Sequence, residues 1–186
     1  MSECTLIKKV QEGDSSAFSE LVDQNKNLVY SIVLRMVKNQ EDAEEVAQDA
    51  FIKAFHQIKK FRGDSKFSTW IYKIAYFCAV DHLRKRKQLN SSIDLISIAS
   101  DDDSVLDNIH KAEKKEYLNQ AIAYLKPIDR NLISMHYMQE LSIEEIEKVT
   151  LFSHSNIKVK LMRIRKQLNG ILTALMKNEI ESFIKS

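Results

Sequence analysis

Residues 141–168 read LSIEEIEKVTLFSHSNIKVKLMRIRKQL. Ser142, followed three residues later by Glu145, is the capping-box pattern that opens a helix, and a short apolar-periodic run then reaches Val149. After Thr150-Leu151-Phe152, Ser153 is placed to cap a second, much longer helix. At about 100° per residue, Ile157, Leu161, Ile164 and Leu168 fall within about 60° of one another and make its buried seam. Ser155, Val159, Met162 and Lys166 lie opposite, with Asn156 near the start, Arg163 at the edge, and Lys158, Lys160 and Arg165 flanking. Ser153 to Leu168 carries five Lys/Arg and no acid, whereas a merely solvated face usually mixes charge signs. A short capped helix, a tight turn and a long basic helix form the pattern of a helix-turn-helix. Its second helix lies in the DNA major groove while its cations neutralise phosphates.

The rest of the chain extends the helical reading. Its 186 residues contain three Gly and one Pro, too few for a protein built of hairpins. Helical apolar spacing predicts a helix from Ala17 to Val37, a second from Gln40 to Lys59 behind an Asn39 cap, and a third from Ser68 to Lys87. Phe61-Arg62-Gly63-Asp64-Ser65 breaks the chain between the last two. Residues 88–108 are rich in Ser and Asp and have no clear helical period; an isolated strand at Ile93 to Ile98 is the one regular element they could hold. Helices resume from Ile109 to Leu125, where Pro127 interrupts, and from Asp129 to Gln139. The expectation is an all-α chain of two small helical domains, 1–88 and 112–186, joined by a flexible acidic linker, 89–111.

Charge is distributed unevenly although the net is only +2. Lys59 to Lys87 holds nine Lys/Arg against Asp64 and Asp81, and Asn90 to Glu116 holds seven acids against Lys111, Lys114 and Lys115. Two basic patches around an acidic stretch suggest a polyanion gripped at two places. The central basic patch is interleaved with Phe61, Phe67, Trp70, Tyr72, Tyr76 and Phe77, a composition suited to unstacked bases. Some of these rings must instead be core, Phe67 and Trp70 being candidates alongside Ile71 and Ile74. The helix from Gln40 to Lys59 presents Glu41, Asp42, Glu44, Glu45, Gln48 and Asp49, either as ordinary solvated surface or as a face for a basic partner.

Enzyme signatures are missing: there is no glycine-rich phosphate loop, and the five His have no metal-ligand spacing. Neither a cofactor nor a metal is therefore expected, and no catalytic residue. Cys4 and Cys78 suggest a reduced intracellular protein. The N-terminus shows no signal peptide and the longest apolar run, Ile74 to Val80, is too short to span a bilayer, so a cytoplasmic chain without stable membrane insertion is expected.

Taken together, these blocks resemble the extracytoplasmic-function (ECF) group of bacterial RNA polymerase sigma factors over nearly the whole chain. Asp42 to Phe51 resembles the family's region 2.2; Phe61 to Ala75 with Asp81 to Arg84 resembles regions 2.3 and 2.4; Leu125 to Arg130, Leu141 to Ile146 and Asn156 to Arg165 resemble region 4. The resemblance implies a dissociable subunit, not an enzyme, that gives core RNA polymerase its promoter choice, with promoter DNA and an anti-sigma factor as further partners. It places Glu45, Gln48 and Asp49 on the polymerase clamp helices. It makes Phe61, Arg62, Asp64, Ser65, Lys66 and Phe67 the loop that captures a flipped base of the −10 element. Phe77 and Asp81 would read that element, with Trp70, Tyr72 and Lys73 beside the melting strand. Ser155, Asn156, Lys158, Val159, Met162, Arg163 and Lys166 would read the −35 element. Two positions depart from the family pattern: Glu147 replaces a small Ala, and Leu151 replaces the Gly of the turn, where a left-handed backbone is costlier for a branched residue. The alternative is a stand-alone helix-turn-helix regulator without polymerase, which leaves the acidic helix and the aromatic-basic segment unused. A protein-binding helical adaptor would leave the five cations of the last helix unexplained.

Overall fold

The computed structural model describes residues 3–90 and 109–185. Eight α-helices follow in order: α1 Glu3–Gln11, α2 Ser15–Val37, α3 Gln40–Gln57, α4 Phe67–Asn90, α5 Ile109–Ala123, α6 Pro127–Tyr137, α7 Ile143–Thr150 and α8 His154–Lys185. A single 3₁₀ turn, Ile58–Lys60, closes the end of α3. No strand forms among the described residues, and the segment where one was considered, Ile93 to Ile98, lies outside them.

Local signals explain most boundaries. The Asp14 carboxylate accepts from the N–H groups of Ser16 at 2.9 Å and Ala17 at 3.3 Å and starts α2. That helix stops at Lys38, whose left-handed backbone (φ 59°) lets its N–H reach Leu34 O. Asn39 then caps α3 through a 2.8 Å bond from Asp42 N–H, and Glu41 and Asp42 fill the first turn, where the helix dipole favours anions. Pro127 stands in the first turn of α6, the position where its missing N–H is not needed.

The first core lies between α2, α3 and α4. Leu21, Val29, Ile32, Val33 and Met36 of α2 meet Ala43, Val46, Ala50 and Ala54 of α3 and Ile71, Ala75 and Ala79 of α4, all buried. The alanines on α3 and α4 let those helices approach closely around the larger side chains of α2. The N-terminal helix α1, absent from the helices expected from apolar spacing, adds Leu6, Ile7 and Val10 to this core.

The second half packs onto the first. Helix α6 lies against α2 and α7 against α4, while α5 and α8 pack on each other. The two bodies expected on a tether therefore share a face, and most of the expected linker lies outside the described residues.

The α7–α8 turn contains a strained residue. Leu151 is left-handed at φ 61°, and its side chain is 65% exposed. Leu151→Gly is expected to stabilise the protein by about 0.5–1 kcal/mol. Relief of about 1–2 kcal/mol at a left-handed branched residue is partly offset by glycine's greater freedom when unfolded. The urea midpoint of the two proteins measures the difference.

Candidate nucleic-acid interface

The α7–α8 pair is closed by local hydrogen bonds. Ser142 Oγ accepts from Glu145 N–H at 3.2 Å and Ser142 N–H donates to Glu145 Oε2 at 2.9 Å, a complete capping box. At the far end, Thr150 Oγ1 donates to Ile146 O at 2.8 Å and accepts from Phe152 N–H at 3.3 Å, tying the turn to the helix it leaves. Ser153 Oγ then accepts from Asn156 N–H at 3.4 Å, as the capping position requires. Ile157, Leu161, Ile164 and Leu168 are buried with Ile146 and Val149. Lys160 folds over the Phe152 ring, 5.1 Å from its centroid, so this cation braces the turn.

The opposite face of α8 is open. Ser155, Asn156, Lys158, Val159, Met162, Arg163 and Lys166 are all exposed. Among the described residues, Lys158, Arg163 and Lys166 form no ion pair. An exposed row of three cations, an amide and two apolar side chains on one helix offers donors to phosphates and base edges and apolar surface to a thymine methyl.

The aromatic-basic segment forms a second surface. Gln11 Nε2 donates to Ile58 O at 3.0 Å and Phe61 O at 2.9 Å, and Glu3 Oε1 accepts from Phe67 N–H at 3.2 Å. Thus α1 pins both ends of the loop from Phe61 to Lys66. Gly63, at φ 80°, makes its bend. Arg62, Asp64 and Lys66 are exposed and Ser65 half-buried. Between α1 and the loop lies a cavity of about 260 Å³ lined by Ile7, Gln11, Phe61, Arg62 and Ser65, among others. Phe61, Phe67 and Trp70 form one ring cluster, with centroids 5.2–5.9 Å apart.

Two residues expected at this surface are not on it. Phe67 is 1% exposed, the keystone of the ring cluster and part of the core. Tyr72 is also 1% exposed, and its hydroxyl donates to Asn131 Oδ1 of α6 at 3.0 Å. That burial pushes its phenol well above the usual range. Phe61, Trp70, Lys73, Phe77 and Asp81 are half-buried, with the Asp81 carboxylate 3.2 Å from Arg84. Beyond them Arg84, Lys85, Arg86 and Lys87 stand exposed.

The acidic helix α3 exposes Glu44, Glu45, Gln48 and Asp49. Asp42 is instead half-buried, 3.4 Å from His82 and 3.3 Å from Arg86 of α4. Beside the acids runs a groove of about 510 Å³ between α2 and α3, lined mainly by Phe18, Val22, Tyr30, Phe51, Ile52 and Phe55. Ile52 and Phe55 are 49% and 42% exposed. Sequence reasoning assigned the acids and missed this groove, although both residues are apolar at positions outside the buried seam of α3. Among the described residues no group of His, Cys, Asp and Glu is arranged to hold a metal, and no helix is long and apolar enough to cross a membrane.

Comparison with known proteins agrees with this geometry. Residues 21–88 match Sigma-70 region 2, and residues 115–168 match Sigma-70, region 4. The ECF RNA polymerase sigma factor SigW of Bacillus subtilis is 32% identical over 179 residues, covering 89% of this chain and 96% of SigW. The RNA polymerase sigma-H factor of Pseudomonas aeruginosa is 29% identical over 182 residues, covering 92% and 94%. Two solved structures share the fold. The sigma factor RpoE of Bartonella quintana, in complex with the anti-sigma factor NepR, has a TM-score of 0.67 at 18% identity, covering 84% of this chain and 96% of that one. CnrH in complex with the cytosolic domain of CnrY has a TM-score of 0.65 at 20% identity, covering 91% and 96%. An acidic helix, a pinned aromatic-basic loop and an exposed basic helix after a capped turn, matched in that order by both sigma-70 regions, place this chain in the ECF RNA polymerase sigma factors.

Proposed function

We infer that this protein binds core RNA polymerase and directs it to promoters, reading two DNA elements with two separate surfaces and leaving the chemistry to the polymerase. The observation that carries the reading is the pair of exposed basic surfaces on different domains, one built for duplex DNA and one for unpaired bases. Ser155, Asn156, Lys158, Val159, Met162, Arg163 and Lys166 read the −35 element in the major groove. Phe61, Arg62, Asp64, Ser65 and Lys66 take a flipped −10 base into the cavity beside α1, with Trp70, Lys73, Phe77 and Asp81 along the adjoining strand. Flipping costs a few kcal/mol of unstacking, which an aromatic-lined site offsets. The domain assignments follow: 1–88 for polymerase and the −10 element, 112–186 for the −35 element, and 89–111 as the connection.

Glu45, Gln48 and Asp49, with the neighbouring apolar groove, form the face offered to core polymerase, and an anti-sigma factor is the natural competitor for a subunit that must be held in reserve. An acid row beside exposed Ile52 and Phe55 has no purpose in a regulator that works without polymerase. Gln48→Ala combined with Asp49→Ala is expected to weaken binding to bacterial core polymerase at least tenfold. Its melting temperature should stay within a degree or two of the parent, because both side chains are exposed. Co-elution with core on a sizing column, beside a thermal melt, measures both. A parent chain that never co-elutes with core contradicts the assignment.

A further inference from the structure

The two halves are joined through one continuous buried cluster, and beside it lies a cleft of about 770 Å³. Leu34, Arg35 and the start of α3 line it from one half, and Ile122, Arg130 and Met138 from the other. Arg35, Lys38 and Arg130 converge there, and among the described residues none of the three has a carboxylate partner. Arg35 donates to Ser134 Oγ at 2.6 Å and Lys38 to Ala123 O at 2.6 Å, both neutral acceptors. Arg130 is 6% exposed and donates to backbone oxygens, those of Arg35, Ala123 and Leu125. Its Nε is shielded from solvent and has no partner.

Hydrogen bonds to carbonyl oxygens satisfy the N–H groups of a buried guanidinium but leave its charge without a counter-ion. Burial, and then the charge of Arg130, push the Lys38 ammonium below the usual lysine range. The backbone adds to the same field. Helix α3, 18 residues long, begins at the cleft with Gln40 and Glu41. The first N–H groups of a helix lack intrahelical partners and favour an anion. Glu41 is the one acid lining the cleft among the described residues; it is exposed and pairs with none of the three cations. The remaining lining has a different character. Leu34 and Ile122 are half-buried and Met138 is 47% exposed, and the amides of Gln40 and Asn119 join them. A bare anion would need only the cations. Apolar surface and this volume suit a ring as well, since sites of about 300–1,000 Å³ take small organic ligands.

We propose that this cleft binds a nucleoside polyphosphate, with its phosphates on Arg35, Lys38 and the first turn of α3 and its base against Leu34, Ile122 and Met138. Arg130 adds its charge from behind that wall. Because each half supplies part of the lining, the ligand ties the halves together and stabilises the folded chain by mass action. None of the residues assigned to polymerase or to promoter DNA takes part, so the site stands or falls apart from that assignment.

Isothermal titration calorimetry of the full chain with ATP, GTP and inorganic pyrophosphate tests the site, beside a thermal melt of the same samples. One-to-one binding of ATP or GTP is expected, roughly tenfold tighter than pyrophosphate, with a raised melting temperature. Lys38→Asn removes a cation while keeping a residue type that accepts the left-handed backbone found there (φ 59°). Arg35→Gln keeps a donor for Ser134 without the charge. Each is expected to weaken the nucleotide about tenfold, the loss typical of one charge-assisted hydrogen bond. Met138→Ser should weaken ATP and leave pyrophosphate unchanged, because only the base meets that side chain. Lys158→Ala combined with Arg163→Ala should bind ATP as the parent does, which separates the cleft from the open cations of α8. If Arg35→Gln melts below the assay temperature, Lys38→Asn, whose side chain is exposed, carries the test. A parent that shows no saturable binding overturns the proposal, as does binding that falls with the α8 variant but not with Lys38→Asn. Pyrophosphate that binds as tightly as ATP, with ATP binding untouched by Met138→Ser, overturns the nucleotide assignment.

Discussion

Phe67→Ala is expected to cost about 3–5 kcal/mol of stability, the loss typical of deleting a fully buried phenyl ring. Its ring is 1% exposed and touches both Phe61 and Trp70, and its N–H is held by Glu3 of α1. Phe67 is also the first residue of α4, directly after the loop pinned by Gln11. Its removal therefore leaves a cavity and frees the loop at the same point, so base capture falls together with stability. Trp70 is the chain's single tryptophan and sits in the same cluster, so its fluorescence reports the unfolding midpoint directly. Lys66→Ala, one residue earlier and exposed, is the companion: stability should move by less than about 0.5 kcal/mol, while single-strand binding weakens. Equal stability losses in the two variants would show that the ring cluster is not the keystone described.

Lys158→Ala combined with Arg163→Ala is expected to weaken binding to a −35 duplex by about 2 kcal/mol or more, roughly thirtyfold, with no change in melting. A bidentate base contact is worth about 1–3 kcal/mol, and a phosphate contact adds about 0.9 to the salt slope, so the salt dependence reveals which kind each residue makes. Both side chains are exposed and lie outside the seam of Ile157, Leu161, Ile164 and Leu168, which is why the fold should not notice. Met162→Ala keeps the charge and removes only apolar surface, so it should alter preference for thymine at one position and leave the salt slope untouched. A double variant that binds like the parent would contradict the placement of α8 in the groove.

Features set by neighbouring residues were legible in the sequence. Ser142 with Glu145, Asn39 before Glu41 and Asp42, and Ser153 before the long helix are caps whose partners lie within three residues, and the structure shows each bond. The four-residue seam of α8 follows from the helical period alone, and the left-handed Leu151 was foreshadowed by the glycine usual at that turn. Features set by distant parts of the chain were not. Helix α1 is short, lacks a strong cap signal and is stabilised by packing Leu6, Ile7 and Val10 on the core. Asp42 reads as one more surface acid until His82 and Arg86 meet it across α4. Tyr72 reads as a base-stacking ring because nothing within the region 2 segment announces Asn131, fifty-nine residues on.

As a member of this family, the chain gives core RNA polymerase its choice of promoter. Run-off transcription with purified bacterial core polymerase, this protein and a library of promoter-like fragments tests it most directly. Discrete start sites are expected that appear only when the protein is added, fade with Gln48→Ala and Asp49→Ala, and fade again with Lys158→Ala and Arg163→Ala. No protein-dependent initiation from a cognate core, by a folded chain that still binds duplex DNA, would contradict it.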